Sequence, residues 1–132
     1  MLRAPGKPLF EQLMRNVMPA IKEIQPKEAY TAVKDGGKSS VKLIDVREES
    51  EWRRARPAIP SVVHLPRGIL ERDIEGVATD PNQPIVLYCA GGIRSALAAE
   101  SLQRMGYKNV KSMAGGFAAW ANEGLPVDTT PK

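Results

Sequence analysis

The stretch that decides the fold spans residues 84–105 and reads PIVLYCAGGIRSALAAESLQRM. Its apolar start, PIVLY, predicts a buried strand, and its end, ALAAESLQRM, has the periodicity of an amphipathic helix. Between them lies a glycine loop, CAGGIRS, with the only cysteine of the chain, Cys89. We therefore expect Cys89 to be exposed at the carboxyl end of a strand, just before a helix, where open α/β sheets place their chemistry.

The rest of the chain repeats this alternation of strands and helices. Helices are predicted over residues 8–18, from Pro26 to a stop at Gly36-Gly37, and from Gly115-Gly116 to Gly124. Strands are predicted over residues 41–46, 62–65 and 108–113, and residues 20–24 are a candidate short edge strand. This order predicts an α/β fold with a mostly parallel sheet and helices on both faces.

The composition is typical of one globular domain, with 132 residues of which 42% are hydrophobic and 26% charged. No apolar run approaches the about 18 residues that suggest a membrane span. Residues 1–18 are basic, but prolines and charges interrupt them before the apolar part of a secretory signal could form. We expect a cytoplasmic protein that does not bind membranes.

Several classes of site are excluded by residue type. A single cysteine cannot form an internal disulfide, and with His64 as the lone histidine no metal-ligand spacing is present, so we expect no metal. His64 is interpreted as a structural residue of a strand or loop. The net charge of +4 arises in the N-terminal half, where Arg53, Arg54 and Arg56 cluster. We interpret this cluster as a solvated helix end rather than a nucleic-acid or acidic-partner surface, because no aromatic residues interleave with it.

The loop itself has the features of an anion site. A cysteine is nucleophilic as a thiolate, and at the usual pKa of about 8.5 it is mostly protonated at neutral pH. Inward N–H groups, the helix dipole and the charge of Arg94 would stabilise the anion, and Ser95 could cap the helix or contact a bound anion. The alternative is a buried, inert cysteine beside an ordinary turn. The amides expected to line the site are those of Ala90, Gly91, Gly92, Ile93 and Arg94.

One further polar group lies in an apolar run, Asp45 in VKLIDV. A buried carboxylate must be paired or hydrogen-bonded, so we interpret Asp45 as orienting the backbone or an arginine rather than as an acid or base.

Four segments together resemble single-domain rhodaneses, a family of sulfurtransferases, over about residues 20–127. They are LIDVRE (residues 43–48), IPSVVHLP (59–66), YCAGGIRS (88–95) and AGGFAAWANEGLPV (114–127). The resemblance implies a three-layer α/β/α fold with a five-stranded parallel sheet. Residues 1–19 would then be a helical extension packed on the domain, and residues 128–132 a flexible tail. The segment RARPAIPS departs from the family's usual turn in length and lacks its histidine and glycine.

The resemblance also implies a reaction. Cys89 would take a sulfane sulfur from a small donor such as thiosulfate or a persulfide, and pass it to cyanide or a thiol, which could belong to a protein. Arg94 would attract an anionic donor, and Asp45 and Arg47 would support the loop. Arg67 follows the strand at residues 62–65, which places it at the rim of the site, as a substrate contact or as an ordinary surface residue. No metal or organic cofactor is implied.

Two other functions stay open at this point. The fold could serve as a non-catalytic binding module, which the complete set of Cys89, Arg94 and both loop glycines disfavours. A cysteine phosphatase or arsenate reductase is disfavoured by a loop one residue shorter than those phosphatases use, and by the lack of a second cysteine.

Overall fold

A computed structural model describes residues 6–35 and 40–132 of the chain. The helices are α1 (Pro8–Val17), α2 (Pro26–Val33), α3 (Glu49–Arg54), α4 (Leu70–Asp73), α5 (Ile93–Met105) and α6 (Gly116–Asn122). The strands are β1 (Lys22–Ile24), β2 (Lys42–Asp45), β3 (Arg56–Pro57), β4 (Val63–His64), β5 (Ile85–Tyr88), β6 (Val110–Met113) and β7 (Val127–Asp128). The predicted helix end at Gly36-Gly37 lies outside the described residues.

Five strands form one parallel sheet in the order β1-β6-β5-β2-β4, which confirms the predicted α/β fold. The strand that precedes Cys89, β5, lies at the centre and pairs with β2 on one side and β6 on the other. The candidate edge strand at residues 20–24 is present as β1. Central placement of β5 puts the loop after it where neighbouring strands also end.

Side chains that alternate along the central strands pack into two separate cores, as expected for a sheet covered on both faces. Ile85 and Leu87 of β5 pack with residues of α1, α4 and α5. Val86 and Tyr88 face the other way and pack with residues of α2 and α6. The protein therefore has the three-layer arrangement that the sequence predicted.

The N-terminal helix α1 contributes to the first of these cores. Met14 and Val17 are buried in the cluster that also contains α5 residues, and α1 contacts α5 directly. Phe10 is partly buried against the same cluster, whereas Leu9 is exposed. Phe10, Met14 and Val17 thus lie on the face of α1 that packs toward α5, whereas Leu13 is exposed.

The end of the chain, where a flexible tail is predicted over residues 128–132, contacts an earlier segment. Strand β7 pairs antiparallel with β3, joining Asp128 to Arg56 and Val127 to Pro57. The Arg56 guanidinium forms an ion pair with Asp128 at 3.2 Å and donates to the Thr130 carbonyl. These contacts were not predicted, because a two-residue strand and one long-range ion pair leave almost no local sequence signal. The flexibility of residues 128–132 stays a prediction.

No helix among residues 6–35 and 40–132 has the length and apolar character needed to cross a membrane.

Candidate active site

Cys89 follows β5 directly and opens the glycine loop, as predicted, but its side chain is buried rather than exposed, with 1% of its surface accessible. Its Sγ accepts hydrogen bonds from the backbone N–H groups of Gly92, at 3.1 Å, and Ser95, at 3.3 Å. The expectation of an exposed thiol is wrong because the loop curls back over the sulfur. That curl places two N–H dipoles on the atom that would carry negative charge.

Glycine is required at position 92 of the loop. Its φ of +107° lies in the left-handed region that side chains with a Cβ rarely adopt. This conformation turns the Gly92 amide toward Sγ and begins α5. Of the five amides predicted to line the site, Gly92 is the one that donates to the sulfur, and the Ser95 amide, which the prediction omitted, is the second donor.

Ser95 does not cap α5, which corrects one of its two predicted roles. The N-cap position belongs to Gly92, and Ser95 lies inside the first turn with its side chain fully buried. Its Oγ is 3.4 Å from Cys89 Sγ and 2.8 Å from the Oγ of Ser112 in β6. The two buried hydroxyls form a chain that ends on the sulfur. Ser112 was missed by sequence reasoning, although a serine in an otherwise buried strand is a signal that could have found it.

The backbone of α6 holds the start of the loop through two hydrogen bonds. The Phe117 N–H donates to the Cys89 carbonyl at 2.8 Å, and the Ala118 N–H donates to the Ala90 carbonyl at 3.1 Å. Gly116 permits this contact, because a Cβ at that position would lie 2.5 Å from the Cys89 oxygen. With their carbonyls turned toward α6, the first loop residues leave the N–H groups that follow free to face the sulfur. The motif AGGF is therefore part of the site.

A buried ion pair lies at the end of β2, beside the end of β5. The Arg47 guanidinium binds both Asp45 carboxylate oxygens, with Nη2 at 2.8 Å from Oδ2 and Nε at 3.1 Å from each oxygen. The Tyr88 hydroxyl donates to the same carboxylate at 2.6 Å, and the Arg47 Nη2 also donates to the Ala55 carbonyl. The interpretation of Asp45 as a group that orients an arginine agrees with these contacts.

The surroundings of this cluster raise the pKa values of both Arg47 and Tyr88. Burial alone would lower the pKa of Arg47, but its hydrogen bonds to Asp45 and the charge of that carboxylate raise the pKa above its usual value. Burial, and next the charge of Asp45, raise the pKa of Tyr88 far above its usual range, so the hydroxyl stays protonated. The Arg47 guanidinium also lies 4.6 Å from the centre of the Phe117 ring in α6. The cluster therefore links β2 and β5 to the helix that supports the loop.

Arg94 is engaged by a residue that sequence reasoning missed. Its Nη1 and Nη2 donate to Oε1 and Oε2 of Glu51 in α3, at 2.7 Å and 3.0 Å. The hydrogen bond to Arg94 is the main cause that lowers the pKa of Glu51 to about 2, and the same contact raises the pKa of Arg94. The two residues are 43 positions apart, so no local pattern joins them.

The remaining candidate residues have structural partners. The guanidinium of Arg67 binds Glu71 at 2.7 Å. The position of Arg67 at the rim of the site stays a prediction. The Nε2 of His64 contacts the Arg47 carbonyl at 2.9 Å, and its ring stacks on Trp52 with centroids 5.1 Å apart. Arg56 is buried, which corrects its interpretation as part of a solvated helix end.

Within the described part of the chain, no group of three or more His, Cys, Asp or Glu side chains is arranged to hold a metal ion.

Known proteins resemble this chain in both sequence and fold. A family model described as Rhodanese-like domain matches residues 25–123, well over half of the chain. The thiosulfate sulfurtransferase GlpE of Haemophilus influenzae strain 86-028NP is 33% identical over 111 residues, which cover 84% of this chain and 98% of that protein. A sulfurtransferase of Allochromatium vinosum is 34% identical over 87 residues, covering 66% of this chain and 78% of that protein.

Solved structures extend the likeness over nearly the whole chain. The polysulfide-sulfur transferase homodimer of Wolinella succinogenes matches with a TM-score of 0.79 and 29% identity, over 94% of this chain and 90% of that one. A Rhodopseudomonas palustris protein of unknown function, described as a possible tyrosine phosphatase, matches with a TM-score of 0.80 and 29% identity, over 97% and 99% of the two chains.

Proposed function

The chain belongs to the Rhodanese-like domain family, and we propose that it moves a sulfane sulfur from thiosulfate or a persulfide donor to cyanide or a thiol. Its sequence relatives named above are sulfurtransferases. The observation that carries the proposal is the set of polar contacts on one sulfur atom. The N–H groups of Gly92 and Ser95 donate to Cys89 Sγ, and the Ser95 hydroxyl lies 3.4 Å from it. A buried cysteine with only a packing role would have no need of these donors.

In the first half-reaction, the thiolate of Cys89 attacks the outer sulfur of thiosulfate. A bond forms between Sγ and that sulfur, the S–S bond of thiosulfate breaks, and sulfite leaves with the electron pair. The product is a persulfide on Cys89. With a persulfide donor the leaving group is a thiolate instead. No outside oxidant or reductant is needed, and neither a metal nor an organic cofactor takes part.

In the second half-reaction, the acceptor attacks the outer sulfur of the persulfide. Cyanide becomes thiocyanate, a thiol becomes a new persulfide, and the Cys89 thiolate is restored. The acceptor must come from outside, because the chain contains one cysteine. Negative charge moves between Sγ and the outer sulfur in each cycle, and the amides of residues 90–94 that do not donate to Sγ are candidates to stabilise the outer atom.

The loop would contribute by holding these N–H groups in place before the sulfur donor binds. N–H groups that are already oriented stabilise developing negative charge without a cost for reorganisation. Here the orientation is fixed by the left-handed Gly92 and by the hydrogen bonds from α6 to the Cys89 and Ala90 carbonyls. We assign Asp45 and Arg47 to support of the strand ends rather than to a chemical step.

The test is turnover with thiosulfate and cyanide, comparing wild type with Cys89→Ser. Wild type should form thiocyanate, and the variant should fall to background, because the nucleophile is lost while the side chain keeps its size. Hydrolysis of an aryl phosphate serves as the second arm. A phosphatase would cleave the phosphate ester, and a non-catalytic binding module would do neither reaction. Either result in the wild type would contradict the proposal.

A further inference from the structure

The loop's one positively charged side chain, Arg94, is occupied by Glu51. Both terminal nitrogens of Arg94 bind the two oxygens of the carboxylate, at 2.7 Å and 3.0 Å. A guide for an anionic donor would need a guanidinium whose positive charge is not already balanced. In this pair the positive charge is matched by a carboxylate at hydrogen-bond distance.

Glu51 is itself held in place on α3. Its Oε1 also accepts the Glu48 backbone N–H at 3.0 Å, which closes the capping box of the helix. The carboxylate is thus fixed by one contact within its own helix and two contacts to Arg94. With a pKa of about 2, for which the hydrogen bond to Arg94 is the main cause, Glu51 is ionised at neutral pH. The charge of Arg94 is therefore balanced by the Glu51 carboxylate at neutral pH.

Two other carboxylates lie near the loop. Glu48 acts electrostatically on Arg94, and Glu23 lines a hollow of about 100 Å³ together with Gly91, Gly92 and Ile93. The nearby arginines do not offset them, because Arg47 and Arg67 bind carboxylates of their own. Although the chain has a net charge of +4, the mouth of the loop carries no excess of positive charge among the described residues.

We propose that Glu51 is a specificity-determining residue that cancels the charge of Arg94, so that the site favours sulfane donors with a single negative charge over the thiosulfate dianion. Organic persulfides and thiosulfonates are donors of this class. The inference rests on the proposed function and narrows it, since it ranks singly charged donors above thiosulfate. Glu51 acts on the donor through Arg94 and through its own charge, without a chemical step.

Two donors of similar shape isolate the effect of charge. In the methanethiosulfonate anion a methyl group replaces one oxygen of thiosulfate, which removes one negative charge and leaves the transferable sulfur. Both donors give a Cys89 persulfide, with sulfinate or sulfite as the leaving group, and both can be read as thiocyanate with cyanide as acceptor. The measured quantity is the ratio of kcat/KM for thiosulfate to kcat/KM for methanethiosulfonate.

The test variant is Glu51→Gln, which removes the charge while keeping an oxygen that can accept from Arg94 and Glu48. Its thiosulfate to methanethiosulfonate ratio should rise about tenfold, the order expected from one charge acting within several ångströms of a partly solvated site. The control is Glu49→Gln on the same helix, which removes the same formal charge from an exposed pair with Arg53. Its ratio should stay within about twofold of wild type.

Salt provides a second measurement on the folded proteins. In wild type, kcat/KM for thiosulfate should change little between low and physiological ionic strength, because no net positive charge steers the dianion. In Glu51→Gln it should fall with added salt. An unchanged donor ratio in Glu51→Gln, or equal changes in Glu51→Gln and Glu49→Gln, would overturn the inference. If wild type used neither donor, the proposed sulfur transfer itself would fail, which is a different outcome.

Discussion

Two ion pairs near the candidate site have almost the same geometry and very different surroundings. Arg47 binds both oxygens of Asp45, and Arg94 binds both oxygens of Glu51, each with a shortest contact below 3 Å. The side chains of the first pair are 5% and 0% exposed, whereas those of the second are 34% and 28% exposed. The first pair is therefore a closed part of the core, and the second is partly open to solvent.

The difference shows how similar chemistry serves stability in one place and selectivity in another. A buried pair is strongly destabilising to break, because the remaining charge has no solvent to stabilise it. A partly exposed pair contributes less to folding than a buried one, since water and ions partly compensate for the loss of either partner. What Glu51 and Arg94 retain is an electrostatic effect on whatever binds beside them.

The largest effect is expected from Asp45→Asn. This change leaves the Arg47 charge buried without its carboxylate and weakens the partner of the Tyr88 hydroxyl. We expect a loss of about 3 to 5 kcal/mol in the free energy of unfolding, measured by urea denaturation. The control is Asp73→Asn, which breaks an exposed pair with Arg72 and should change stability by less than about 1 kcal/mol. Equal losses in the two variants would remove the distinction between buried and exposed pairs.

A second change tests whether the loop is held by its backbone rather than by the Arg94 pair. In Gly116→Ala the new Cβ would lie 2.5 Å from the Cys89 carbonyl oxygen, at a φ of +60°. Because neither backbone segment can move without disturbing the loop, we expect a loss of about 2 to 4 kcal/mol in stability, together with lost sulfur transfer.

Gly124→Ala is the matched control for that change. Gly124 has a similar φ of +74°, but its Cβ would have no atom within 4 Å. It should lose only about 1 kcal/mol, the cost of the left-handed conformation alone, and keep full activity. A Gly116→Ala protein as stable and active as Gly124→Ala would show that contact with α6 does not shape the loop.

The smallest expected effect is on how the stability of the protein changes with pH. The pKa of Glu51 is about 2 in the folded protein against an ordinary value of 4.5, with the hydrogen bond to Arg94 as the main cause. A carboxyl with a lowered folded pKa stabilises the protein above its unfolded pKa, and that contribution is lost as the pH falls from about 4.5 toward 2. Relative to Glu51→Gln, wild type should be more stable by about 1 to 2 kcal/mol at pH 6, after allowance for solvent screening.

That advantage should shrink steadily between about pH 4.5 and pH 3, as followed by urea denaturation at each pH. A difference between wild type and Glu51→Gln that did not change with pH would mean that the carboxylate of Glu51 is not the group that Arg94 stabilises.

The sequence predicts the parts of this molecule that are local. The strand before Cys89, the glycine loop and α5 follow from an apolar run, two glycines and a helical period within 22 residues. A role for Asp45 in orienting the backbone or an arginine was also expected, because a buried carboxylate needs a partner. These features depend on neighbours along the chain, which a pattern can capture.

The features that escaped prediction depend on distant partners. The contacts of Glu51 with Arg94 and of Ser112 with Ser95 join different elements, and the docking of Asp128 on Arg56 joins the end of the chain to its middle. Burial of Cys89 was missed for a related reason, since it arises from the path of the loop above the strand end and not from the residue itself. Arg67 was predicted from its position after a strand, and its guanidinium binds Glu71.

We propose that Cys89 Sγ, held by the Gly92 and Ser95 N–H groups, carries the transferred sulfur. The most direct test of this claim is the intact mass of the protein after treatment with thiosulfate and again after cyanide. Wild type should gain the mass of one sulfur atom and lose it on addition of cyanide, and Cys89→Ser should show no change in either step. A wild-type mass that stays the same with thiosulfate and with methanethiosulfonate, or a gain that persists in Cys89→Ser, would contradict the claim.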